Sequence, residues 1–274
     1  MKNSNLFILL LIVLIGVLGV LIFQQEKLPQ KQAPPAPAHE QQQIPIKKPI
    51  VHYPVPAAEQ PSPAAQEPPP QQEPAPLNLP SLEEGEQALQ QVWHQLVTDT
   101  SLFDLLISDN LIQRLVFLID NLPEKRLPHT YLPIKAPGGH FIVSGTDTAP
   151  QTSSRNHKRY LRYVKLLENI DPDLAVKIYT HFYPLFQKAY EQLGYKNAYF
   201  NDRLIFTLDH LLETPDPKEP IQLTQPSVLY RYADPLLENR SAGQKILIRI
   251  GPENRKRVLN VLAAYRERLI NLHP

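Results

Sequence analysis

The chain has 274 residues, with 28 lysines and arginines against 27 aspartates and glutamates, 30 prolines, 9 glycines and no cysteine. This composition excludes a disulfide scaffold, a thiolate metal centre and a collagen-like repeat, and a net charge of +1 gives no reason to expect nucleic acid as a partner. Sixteen of the 30 prolines fall between Pro29 and Pro80, so the remainder has the composition of one ordinary globular domain.

After a five-residue tail (1–5), residues 6–23 read LFILLLIVLIGVLGVLIF, a run of 18 residues without a charged or polar side chain. At about 1.5 Å per residue such a helix is about 27 Å long, close to the hydrocarbon thickness of a bilayer. The exit, Phe23-Gln24-Gln25, offers no small-x-small cleavage pattern, which favours a retained signal anchor over a cleaved signal peptide. Lys2 on one side and Lys27 and Lys31 on the other nearly balance the charge rule for orientation. A short amino tail kept inside and a long translocated body together predict a single-pass membrane protein with its domain outside the cytoplasm.

Residues 24–80 form a proline-rich tether with stretches such as PAAQEPPPQQEPAP, too poor in apolar side chains to repay the entropy of ordering. On polyproline II geometry of about 3.1 Å per residue, residues 29–80 would reach about 160 Å. One island, IPIKKPIVHYPVP at 44–56, is less biased and reads either as a short docking motif or as more linker.

The folded domain is expected over 81–274, mostly α-helical, with a small extended or hairpin segment. Ser81 and Glu84 make a capping-box pattern ahead of Leu89, Val92, Trp93 and Leu96 at helical spacing. A helix over 110–121 carries the stripe Leu111, Ile112, Leu115, Leu118 and Ile119, and Pro123 stops it. Residues 123–153 read as a long loop with a β-excursion at 141–143; its glycines match no phosphate-binding signature.

The next predicted helix, 155–170, sets Arg155, Lys158, Arg159, Arg162 and Lys165 on one face against Tyr160, Tyr163, Val164 and Leu167 on the other. That basic stripe is a binding candidate for anionic lipid head groups, an anionic wall polymer or an acidic partner protein, and a solvated face is the plainer reading. Asp171-Pro172 signals a cap and first turn, and the helix that follows, apolar on several sides up to Gly194, is expected at the core, kinked by Pro184. Asn201 is expected to cap the next helix, with Leu204, Ile205, Leu208 and Leu211 inward. His181 and His210 lie on different predicted helices, and neither has a second histidine at zinc spacing. An extended segment at 221–232, a second Asp-Pro start at Asp234, a Ser241-capped helix and a final helix opened by Pro252 complete the chain.

No catalytic motif, metal-ligand pattern or cofactor fingerprint emerges. Seven polar residues, Asp202, Arg203, Asp209, His210, Tyr230, Arg231 and Asp234, could serve an enzyme if they converged on one cleft. Asp209 and His210 are adjacent, however, and on a helix they diverge by about 100°. Ser241 and Lys245 are four apart, whereas the S-x-x-K hydrolase signature needs three.

The strings DNLIQRLVFLIDNL, YPLFQKAYEQLGY, FNDRLIFTLDHLL and VLYRYADPLLENRSAGQKILIRIGPEN resemble the bacterial domain of unknown function 3014 family, over nearly all of 81–271. The anchor and proline-rich spacer are similar to the layout of other members. The resemblance implies a Gram-negative envelope protein and brings no catalytic residues with it. The leading expectation is a membrane-anchored periplasmic binding or scaffold module; the alternatives are an envelope enzyme built on the seven polar residues and a purely structural domain.

Overall fold

A computed structural model describes residues 52–56, 105, 107, 109–128 and 131–272. The expected anchor, most of the tether and the helix around Leu89 to Leu96 lie outside them. Among the described residues no helix is long and apolar enough to cross a membrane.

The fold is mostly helical, with two small hairpins. Helix α1, Leu111–Asn121, buries Leu111, Ile112, Leu115, Val116, Leu118 and Ile119, the face that its periodicity requires. Part of the expected loop is ordered as a hairpin: β1, Val143–Thr146, pairs antiparallel with β2, Ala149–Thr152, in the register Val143↔Thr152 and Thr146↔Ala149. The strand begins at Val143 and not at Phe141 because the Ile142 N–H and C=O are taken by the side chain of buried Asn156.

A 3-10 turn leads into α2, His157–Glu168, whose inner face is Tyr160, Tyr163, Val164, Leu166 and Leu167. The next helix, α3, Pro172–Gln192, starts as its Asp-Pro pair demands, the Asp171 carboxylate accepting from the Asp173 and Leu174 N–H groups. Helix α4, Phe200–Leu212, starts two residues earlier than its expected cap allows: Tyr199 is the N-cap, and Asn201 stands inside the first turn. Asn201 is fully buried there and its side chain bonds the Tyr179 hydroxyl, a tertiary partner that outcompetes the local cap.

The hairpin of β3, Leu223–Thr224, and β4, Arg231–Tyr232, precedes the short α5, Pro235–Glu238. Ser241 then caps α6, Ala242–Arg249, by accepting from the Gln244 N–H. Gly251, at φ 91°, turns the chain into α7, Pro252–Ile270, and a Cβ there would lie 2.5 Å from the His157 ring.

Although α3 is the more apolar helix, α7 is the one that packs against α2, α3, α4 and α6. Its stripe of Val258, Leu262, Tyr265 and Leu269 is narrow but sits where those helices meet. Gly243 allows α6 to approach the end of α1, since a Cβ would come within 2.5 Å of Leu211 and 3.0 Å of the Leu122 carbonyl. A separate small cluster of Ile221, Leu223, Tyr232, Leu237 and Ile248 underlies the second hairpin.

Candidate functional site

Of the expected basic stripe, Lys158, Arg159, Arg162 and Lys165 stand on α2 and Arg155 in the 3-10 turn before it. Arg155, Lys158, Arg162 and Lys165 are exposed. Arg159 instead bends back onto the 138–140 turn, donating to the carbonyls of His140, Gly138 and Gly139 at 3.0 Å each. That guanidinium satisfies three loop acceptors and so holds the turn against α2.

The seven residues of the alternative cluster do not gather around one cleft. Arg203 Nε donates to Asp120 Oδ1 at 2.9 Å, and its guanidinium lies 5.3 Å above the Phe206 ring. Asp209 pairs with Arg266 of α7. His210 Nε2 meets Ser241 Oγ at 2.8 Å, and Gln244 Nε2 donates to the His210 carbonyl at 2.9 Å, so this pair fastens α4 to the start of α6. Burial lowers the His210 pKa below its ordinary value, which keeps the imidazole neutral beside the capping serine.

Asp234 caps α5 through the Leu236 N–H, Arg231 is exposed on β4, and Tyr230 packs on the small cluster. Lys245 turns to Glu238, 3.7 Å away, with its pKa lowered by burial. His181 stacks edge-on against Phe182, and no group of three metal-binding side chains occurs among the described residues. The shallow depression near Thr214 is lined by Asp216 and Glu253 against Arg255 and Lys256, so it favours neither sign of ligand.

The seventh residue, Asp202, has a different occupation. Its carboxylate accepts from the backbone N–H of His52 at 3.1 Å and of Tyr53 at 2.9 Å, while His52 Nδ1 lies 3.3 Å away. The Tyr199 hydroxyl accepts from the Val55 N–H at 2.7 Å, and Asn201 Nδ2 donates to the Tyr53 carbonyl at 3.0 Å. Tyr53 and Val55 pack against the main core. The island at 44–56 thus ends in a segment that lies on the amino end of α4, some 150 residues away in sequence.

The walls of this cleft are fixed by buried neighbours. Asn201 Oδ1 accepts from the Tyr179 hydroxyl at 3.0 Å, which leaves its Nδ2 to face the segment. The Tyr183 hydroxyl donates to Gln187 Oε1, and that oxygen also accepts the Phe200 N–H. Burial raises the pKa of Tyr179 and Tyr183 well above the usual phenol range, so both remain donors.

Sequence reasoning missed Asp120, which joins Arg203 to the Tyr195 hydroxyl at 3.1 Å. An acid in the last turn of an apolar helix opposes the helix dipole, and that conflict is the signal that a partner was waiting. It also missed Tyr199 and Asn201 as cleft walls, for which the local sequence carries no signal.

Comparison with curated proteins and with solved structures returns no match. The family model described as "Protein of unknown function (DUF3014)" matches residues 111–266, which is 156 of the 274 residues. The matched stretch includes α1, both hairpins, the basic face of α2 and the cleft residues Tyr199, Asn201 and Asp202. The chain belongs to this DUF3014 family.

Proposed function

We propose that the protein is a membrane-tethered binding module of the bacterial envelope, held in the inner membrane by residues 6–23, with its helical domain on the periplasmic side. Its partner on this reading is an acidic envelope protein or an anionic polymer. The observation that carries the binding role is the outer face of α2 and of the 3-10 turn before it, where Arg155, Lys158, Arg162 and Lys165 are exposed while Arg159 fixes the adjacent turn. A face of four cations draws an anionic surface by long-range attraction and by local ion pairs. The apolar run and the proline-rich spacer support the location.

The test is crosslinking in cells with the full chain. Replacing Arg155, Lys158 and Lys165 with glutamate should reduce recovery of the crosslinked partner severalfold and leave the unfolding midpoint unchanged. Equal recovery from the substituted chain would remove the basic face from the interaction. A reporter active only in the cytoplasm, fused after Pro274, should stay dark; a bright fusion would overturn the periplasmic placement.

A further inference from the structure

We propose that Tyr199, Asn201 and Asp202 form a peptide-binding cleft whose ligand is the chain's own 52–56 segment, bound in cis as a separable occupant. This inference is independent of the basic face and of the side of the membrane.

The argument begins with the segment's hydrogen-bonding inventory. In His-Tyr-Pro-Val-Pro, Pro54 and Pro56 have no N–H, so only His52, Tyr53 and Val55 offer backbone donors. All three are bound, two by the Asp202 carboxylate and one by the Tyr199 hydroxyl. The Tyr53 carbonyl is bound as well, by Asn201. The cleft therefore reads the donor spacing that the prolines set.

Two of the three receiving residues, Asn201 and Tyr199, are held by neighbours other than the occupant. Asn201 is fully buried and oriented by Tyr179, and its own backbone N–H reaches the Tyr183 hydroxyl at 3.4 Å. The Tyr183 and Tyr199 rings lie 5.3 Å apart, which braces the hydroxyl that takes the Val55 N–H. The occupant, by contrast, is partly exposed along its length, with His52 and Pro54 facing outward. A rigid site and a proline-stiffened ligand each lose little entropy on meeting, so the contact can form without the segment belonging to the core.

A peptide of residues 44–56, fluorescently labelled, tests this against the full chain. In the chain carrying Tyr53→Pro and Val55→Pro two of the three backbone donors are gone and the cleft is vacated. The peptide should then bind at least about tenfold more tightly than to the wild type, where a tethered ligand at an effective concentration of about millimolar competes. Adding Asp202→Ala to the vacated chain should abolish that binding. No binding to the vacated chain at millimolar peptide would make the segment a fixed part of the fold and overturn the proposal. Equal binding to wild type and vacated chain would move the peptide to another surface and overturn it too. A concentration-dependent dimer of the wild type, lost with Asp202→Ala, would show a second copy's segment in the cleft and overturn occupancy in cis.

Hydrogen exchange on the wild type gives an arm that needs no substitution. Excess unlabelled peptide should release protection at Tyr53 and Val55 together while α4 stays protected. Release only when the whole domain unfolds would overturn the proposal.

Discussion

Along α4 the charged side chains meet partners from distant parts of the chain: Arg203 meets Asp120, Asp209 meets Arg266, and Asp202 meets the 52–56 segment. Along α2 the charges are deployed differently, with Lys158, Arg162 and Lys165 exposed, Arg159 drawn to a loop and Glu168 to Arg257. The two helices look alike in sequence, each a mixture of charge and apolar spacing. What separates them is that α4 lies against α1 and α7, so its polar residues face protein, while on α2 Lys158, Arg162 and Lys165 stand exposed. Apart from Asp202, the charged residues on α4 therefore tie the fold together, while Lys158 and Lys165 on α2 face outward.

The contrast should be widest in stability. Phe200 on α4 is fully buried and stacks against Phe186 at 5.9 Å, so Phe200→Ala should cost about 3–5 kcal/mol. On the exposed face of α2, Lys158→Ala should stay within about 0.5 kcal/mol. Urea midpoints decide, and similar losses at both positions would dissolve the distinction.

The next effect concerns the polar ties themselves. Arg203→Ala leaves the nearly buried Asp120 carboxylate with only the Tyr195 hydroxyl and should cost about 1–3 kcal/mol. A double-mutant cycle with Asp120→Ala should recover part of that loss as coupling, and zero coupling would reduce the tie to a surface contact. A smaller effect belongs to the Arg257–Glu168 pair, half exposed, where Arg257→Ala should cost less than about 1 kcal/mol and the difference should shrink in molar salt.

The smallest effect is in pH. His210 is harder to protonate folded than unfolded because burial disfavours its cation. The unfolded chain therefore binds the proton first, and stability falls as pH drops below the ordinary imidazole value of about 6.5. His210→Gln should flatten that slope between pH 7 and 5. Glu168 and Asp173 act lower, since their arginine partners depress both carboxyls and that stabilisation is lost only as pH falls through the folded-state values. An unchanged slope in the glutamine variant would remove His210 as its source.

Much of the helical fold was legible because its signals are local. Asp171-Pro172, Asp234-Pro235 and Gly251-Pro252 each mark a start that the structure uses, and Ser241 caps as its position suggests. The hairpin of β1 and β2 was harder, since Pro150 and Gly145 look like loop punctuation until the register places them opposite each other. The site was least legible. Asn201 has the chemistry of a cap, and its buried role depends on Tyr179, 22 residues earlier. The ties of Asp202 reach back about 150 residues, and no local pattern encodes a contact at that range.

The attachment at 52–56 also alters how crowded the domain is with its targets. For a chain anchored through residues 6–23, the leash ends at residue 51 and not at residue 80, leaving 28 residues in place of 57. Halving an extended leash shrinks the swept volume about eightfold and raises the local concentration of the domain near its anchor by the same factor. That is worth about 1.2 kcal/mol in any encounter within reach, and it puts every target beyond the shorter radius out of bounds. With residues 6–23 holding the chain in a membrane as proposed, three main-chain hydrogen bonds to two side chains would set a dosage at its surface.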